Sequence, residues 1–158
     1  MLRCRFTVER NTLDQMKPSL PEKLRGALHV SLSTAFERLS SLINNRLGSV
    51  GLIYRHYLIL CVLNQGEGDY YQQELGDIVG ANRSTMVQLT DQLEQLNLVR
   101  RQQNPENRRQ LIINITDKGI KRVNQADKLV GDALEEFAAP LNKAERAQLS
   151  ALLSKLAT

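Results

Sequence analysis

The chain has 158 residues, 42% of them hydrophobic, enough to bury a core as one compact domain or two small lobes; aromatics are only 4% and tryptophan is absent, so that core must be aliphatic. A net charge of +4 permits contact with nucleic acid or an anionic surface but does not require it. Cys4 and Cys61 belong to no C-x-x-C pair, which excludes a zinc knuckle or thioredoxin motif, and the absence of a long apolar run or signal-type N-terminus leads us to expect a cytoplasmic protein with reduced thiols and no membrane partner.

Residues 1–19 mix charges with Asn, Thr, Ser and Pro18 and read as a loose arm. After Pro21, Leu24, Leu28, Leu32, Ala35, Leu39, Leu42 and Ile43 recur at three- and four-residue steps, the stripe of an amphipathic helix expected to fade near Asn44–Asn45. "LIYRHYLILCVLNQ" is apolar almost all round and predicts a buried helix ending before Gly66. "YQQELGDIVG" predicts a short helix stopped by Gly80, and Asn82 is a good N-cap for the next helix, "RSTMVQLTDQLEQL", which ends at the left-handed-tolerant Asn97. "LVRRQQ" and "QLIINIT" read as two strands joined by "NPEN", which suits a type I turn with Pro105 in second place. Thr116 can cap a long helix through about Phe137, with Ile120, Val123, Leu129, Val130 and Leu134 apolar. Beyond Pro140, Asn142 and Glu145 form a capping-box pattern for a last helix carrying Leu149, Leu152, Leu153 and Leu156.

The chain is therefore mainly α with a small β-hairpin. Two short helices followed by a hairpin are the parts of a winged helix-turn-helix. Gly76 provides the close approach and Gly80 the positive-φ turn that such a helix pair needs, while Leu75, Val79, Met86, Leu89 and Leu93 provide its apolar anchors. The start of the second helix stays polar: Arg83, Ser84, Thr85 and Gln88. Arg suits guanine O6 and N7, Gln suits adenine, and Ser or Thr fits several base edges or a phosphate. These four alone would equally suit a solvated face. Arg100, Arg101, Arg108 and Arg109, opposed in the hairpin only by Glu106, add weight to double-stranded DNA, because a wing beside a recognition helix reaches the minor groove, whose negative potential favours arginine. Positive charge on a hairpin also blocks edge pairing, the ordinary alternative.

The run "RSTMVQLTDQLEQLNLVRRQQNPENRRQLIINITDKG" resembles the MarR family of winged-helix transcription regulators, and the similarity extends over about residues 52–158. The resemblance implies a homodimer on a pseudopalindromic operator, most often a repressor, released by a small ligand or by oxidation. It divides the chain into the arm at 1–19, a helical dimerisation lobe at 20–48 and 117–158, and a DNA-binding lobe at 49–116. Carried over by position, Arg83, Ser84, Thr85 and Gln88 would face the major groove and Arg109 the minor groove, with Arg101 and Arg108 holding phosphates or the wing itself. The sequence departs from the family pattern at Asn104 and Asn107, usually aspartates; at Gly76, usually alanine; at Tyr71, where a Ser or Thr cap is common; and at Asn97, usually glycine. Exposed terminal stripes favour a twin over packing within one chain, and a twofold dimer would set its recognition helices about 34 Å apart, one DNA turn.

Many members of that family bind aromatic acids beside the first helix. Here His29, Phe36, Tyr54, Arg55, His56 and Tyr57 would border such a crevice, with Arg55 meeting a carboxylate, although Tyr57 and His56 also suit an ordinary core. Cys4 lies before the first helix and Cys61 inside an apolar one, which makes peroxide sensing a lesser reading. No His-Glu, Cys-His or Gly-rich phosphate motif surrounds the histidines, so neither enzyme activity, a metal nor a cofactor is expected. The remaining rival is a winged-helix module that binds protein.

Overall fold

The computed structural model describes residues 27–66, 69–107 and 110–156. The expected arm at 1–19, Leu24, Cys4, Arg108 and Arg109 lie outside them. Contacts divide the chain into residues 1–35 and 36–158, and only the first turns of α1 among the described residues fall in the former.

Helix α1 (Leu28–Gly48) runs past Asn44–Asn45, where the sequence suggested it would fade. Asn44 does not compete for its own helix: its Oδ1 accepts from Tyr54 N at 2.8 Å, while Ile43 and Leu47 bury on either side of it. Gly51, with φ of 70°, then reverses the chain. Helix α2 (Tyr54–Gln65) is not buried all round as its sequence suggested. It packs on α5 (Asp117–Ala138), on α3 (Gln72–Val79) and on the sheet, so His56, Ile59 and Leu60 are buried, whereas Leu58, Cys61, Val62 and Leu63 are half-buried.

A short strand that the sequence did not suggest, β1 (Tyr70–Tyr71), precedes α3. It pairs antiparallel with β3 (Leu111–Ile115), which also pairs antiparallel with β2 (Val99–Gln103), giving the order β1-β3-β2. Tyr71 therefore starts α3 from a fixed strand rather than raggedly, and the Glu74 carboxylate accepts its backbone N–H at 3.1 Å. Between α3 and β2 lies α4 (Arg83–Gln95), which ends at Asn97 in the left-handed conformation, φ 59°. Thr116 caps α5 by accepting from Gly119 N, and its hydroxyl reaches the Asn97 and Leu98 carbonyls. Asn142 and Glu145 complete the reciprocal capping box of α6 (Lys143–Leu156): Asn142 Oδ1 accepts from Glu145 N at 3.0 Å and Glu145 Oε2 from Asn142 N at 2.8 Å.

The core joins Leu47, Leu52, Ile59, Leu60, Leu75, Met86, Leu93, Leu98, Ile113 and Val123. α5 offers it Val123, Ala126, Val130 and Ala133, but leaves Ile120 and Leu134 exposed. α6 buries none of its residues, and its leucine stripe faces outward. No described helix is long and apolar enough to cross a membrane.

Candidate nucleic-acid interface

α3 and α4 meet through backbone. Gly80 adopts φ 64°, ψ 38°, a left-handed turn that costs glycine nothing, and Ala81 N donates to the Gly76 carbonyl at 2.8 Å. A Cβ on Gly76 would lie 2.9 Å from the Ala81 carbonyl oxygen, which explains glycine here despite a helix-propensity cost of about 1 kcal/mol. Leu75, Met86, Leu89 and Leu93 are buried in this junction and Val79 is half-buried.

With its inner face buried, α4 turns its opposite face to solvent. Asn82 Oδ1 caps the helix, accepting from Thr85 N at 2.9 Å and from the Ser84 hydroxyl at 2.8 Å. Arg83, Ser84 and Gln88 are exposed, Thr85 half-buried. Asn82, Arg83, Ser84, Val87 and Gln88 line one open groove, so three of the four residues singled out on this helix share a surface while Thr85 turns partly inward. A second groove, about 580 Å³, runs between α3, α4 and β3 past Gln72, Asp77, Arg83 and Gln110.

For Arg101 the expected roles were a phosphate contact or support of the wing itself, and its side chain takes a pose suited to the second. Its side chain, 19% exposed, folds back onto α4. Nη1 pairs with Asp91 Oδ1 and, at 3.2 Å, with Glu94 Oε2; Nη2 donates to the Val87 carbonyl at 3.1 Å and to the Thr90 hydroxyl; its backbone N–H donates to Glu94 Oε1 at 3.1 Å. The guanidinium therefore fastens strand β2, the root of the wing, to α4. Asp91 and Glu94 escaped the sequence reading; the available signal was two acids a turn apart on one helix preceding a basic strand. Arg100, its neighbour on the opposite strand face, is exposed.

The wing's connection is longer than a four-residue turn: Gln103 still pairs with Leu111, and the loop runs from Asn104 to Gln110. Buried Asn104 organises it. Its Oδ1 accepts from Glu106 N at 2.9 Å and its Nδ2 donates to Gln110 Oε1 at 3.1 Å and to the Tyr71 hydroxyl at 3.3 Å. An aspartate could supply only the acceptor half, which accounts for asparagine at this position.

The suggested effector residues differ in exposure. His29, Phe36 and Arg55 are exposed, and the Tyr54 and Tyr57 rings stack at 6.4 Å. Tyr57 donates to Asp127 Oδ1 at 2.9 Å; burial, with Cys61 and Asp127 beside it, pushes its phenol far up. Burial likewise raises the Cys61 thiol, partly offset by a hydrogen bond with Tyr57, the opposite of what a reactive thiolate needs.

His56 is a buried structural link between α2 and α4. Its Nε2 lies 2.8 Å from Gln92 Oε1, and its Nδ1 faces the Ile53 N–H at 3.5 Å, so the neutral ring with hydrogen on Nε2 satisfies both. Burial lowers its pKa below the usual 6.5, only partly countered by Gln92. The unfolded chain then takes up a proton that folded His56 refuses, so its share of stability is intact above pH 6.5 and is lost as pH falls through that value toward the folded pKa. Urea midpoints of the wild type should drop more between pH 7.5 and 5.5 than those of His56→Asn; equal drops would remove His56 as the cause.

The MarR family model matches residues 51–111, from the start of α2's capping segment to the first residue of β3. Among solved structures, the transcriptional repressor CouR bound to a 23-mer DNA duplex is 26% identical, with a TM-score of 0.80 over 89% of this chain and 100% of its own. A mutant MarR from E. coli complexed with operator DNA is 22% identical, TM-score 0.76, over 87% and 99%. Bordetella bronchiseptica BpsR, whose DNA binding is regulated by 6-hydroxynicotinic acid, is 19% identical, TM-score 0.76, over 83% and 98%. Residues 51–111, the helix-turn-helix and the start of the wing, thus match the MarR family, and the described fold is the one these DNA-bound proteins share.

Proposed function

We propose that this regulator binds a pseudopalindromic DNA operator as a homodimer, acting as a repressor, with α4 in the major groove and the wing at the adjacent minor groove. One observation carries the reading: the exposed face of α4 collects Arg83, Ser84 and Gln88 on a helix whose opposite face is locked into the core. CouR, with DNA bound, shares this frame. Phe36, 65% exposed, and Leu156, 71% exposed, belong to apolar surfaces on α1 and α6 that a second copy would cover, and support the dimer. Dimerisation through residues 20–48 and 117–158, with DNA binding through 49–116, is the division this reading requires. Arg108 and Arg109 would serve the wing's phosphate and minor-groove contacts.

Release by a small aromatic or acidic effector follows the example of BpsR. On this chain exposed Arg55 would meet the acid, near the Tyr54 ring, with Phe36 as a further contact. Thermal shift against a panel of aromatic acids tests it; a shift for one acid that Arg55→Ala abolishes is the expected result.

Selecting bound duplexes from a random pool tests the central reading. Affinity for the selected duplex should fall steeply with salt, because each phosphate neutralised releases counterions. Arg83→Ala should lose about 1–3 kcal/mol of discrimination at one base pair per half-site while other positions hold. A uniform loss on every duplex would make Arg83 a phosphate contact, and failure to bind any duplex at low salt would remove DNA as the partner.

A further inference from the structure

We infer that Val87 is a specificity-determining residue that reads the C5-methyl group of a thymine in the operator. The inference rests on the DNA reading above and goes beyond it, since Arg83, Ser84 and Gln88, the exposed polar residues, carry no methyl with which to meet thymine's.

Val87 is 39% exposed on the outer side of α4. Single exposed apolar residues are common and by themselves mean little. Its position is what distinguishes it. Val87 stands one turn after Arg83 and lines the same open groove as Asn82, Arg83, Ser84 and Gln88. At about 100° per residue, Val87 projects between the directions of Arg83 and Ser84, within the polar face, with buried Thr90 about 60° to one side. The buried residues Met86, Leu89 and Leu93 lie on the other side of the helix.

Valine is an unusual choice for a partly exposed helix position. A β-branched side chain is less suited to a helix than the Gln, Glu and Lys types that fill solvated positions, and its side chain is only partly covered within the chain. Its backbone is held independently of its side chain, because the Val87 carbonyl accepts from Arg101 Nη2. The two methyls are thus presented rigidly to whatever the groove receives. In the major groove of DNA the apolar feature of a base edge is the thymine C5-methyl. Arg83 and Gln88 can read hydrogen-bonding edges on either side, and Val87 can bury a methyl between them.

Deoxyuridine tests this directly, because it pairs as thymine does and lacks only the methyl. In the duplex selected by the wild-type protein, each thymine is replaced in turn by deoxyuridine and affinity is measured. One position per half-site should lose about fourfold, the loss expected for one buried methyl. Val87→Ala should bind the thymine duplex more weakly and show no preference between thymine and deoxyuridine at that position. It should fold normally, since alanine is the better helix former at an exposed site.

Salt-sensitive DNA binding with indifference to deoxyuridine at every position would overturn the proposal and leave the DNA reading standing. A thymine preference that survives Val87→Ala but disappears in Thr85→Ser, which removes the threonine methyl and keeps its hydroxyl, would assign the methyl to Thr85 and also overturn it. Absence of duplex binding would overturn both.

Discussion

Gly119→Ala is expected to destabilise the protein by about 3 kcal/mol, the upper part of the range for forcing a carbon into a filled site. An added Cβ would collide with the Leu98 carbonyl oxygen and press on Ile115 Cγ1, 2.7 Å away. That carbonyl cannot move freely: it accepts from Thr116 N at 3.0 Å and from the Thr116 hydroxyl at 3.2 Å. The same hydroxyl caps α5 by accepting from Gly119 N at 3.0 Å. Room for a methyl therefore requires parting the end of α4 from the start of α5 at the root of the wing. Gly131, farther along α5, is the internal control. A Cβ there meets nothing within 4 Å, so Gly131→Ala should stabilise by about 0.5–1 kcal/mol through helix propensity and a more restricted unfolded chain. Urea denaturation of both variants checks the pair. Two shifts of the same sign would mean that propensity, rather than the contact with Leu98, governs these positions.

Gly119 also shows where sequence reading stops. The glycine of "TDKG" is visible in the chain, but the obstacle that demands it is a carbonyl more than twenty residues earlier, and no local pattern points to it. Gly76 is similar: its helix-propensity cost is legible, whereas the Ala81 carbonyl that makes it necessary becomes visible only when the turn closes. Features made by a few adjacent residues were legible in full. Asn82, Thr116 and Asn142 cap their helices as their side chains and spacing imply, and Asn97 takes positive φ as a small amide can. The alternation of Leu111, Ile113 and Ile115 placed β3. Two-residue β1 left no such trace, because a strand so short is defined by its partners Ile112 and Ile113. In α2 the apolar residues surround the helix, so periodicity carried no direction, and the packing of α5, α3 and β3 chose the buried side. The polar face of α4 was legible as Arg83, Ser84 and Gln88; Val87 was passed over because an isolated apolar residue is ordinarily assigned to the core.

The arginines make the sharpest division between what is legible and what is not, and the largest expected effect on DNA binding. Arg100 and Arg101 are indistinguishable by composition, and strand alternation says only that they face opposite ways. The structure sends Arg101 onto Asp91, Glu94 and Thr90. Arg101→Ala should weaken operator binding by about 10–100-fold, as the wing loses its fixed pose and must be ordered on binding. The accompanying loss of stability should be smaller, about 1–2 kcal/mol: Asp91 and Glu94 are 46% and 41% exposed, so water takes over much of what the guanidinium gave them. Arg101→Lys should recover little, since an ammonium cannot span Asp91, Glu94 and the Val87 carbonyl as a planar fork does. Asp91→Asn separates a brace from a phosphate contact by the sign of its effect. If Arg101 holds the wing, removing the carboxylate loosens the wing and weakens binding. If Arg101 instead serves DNA, the same change frees the arginine and removes a repelling charge, so binding tightens. We expect weakening, and we expect Asp91→Asn to add little in the Arg101→Ala background, as two substitutions along one contact must.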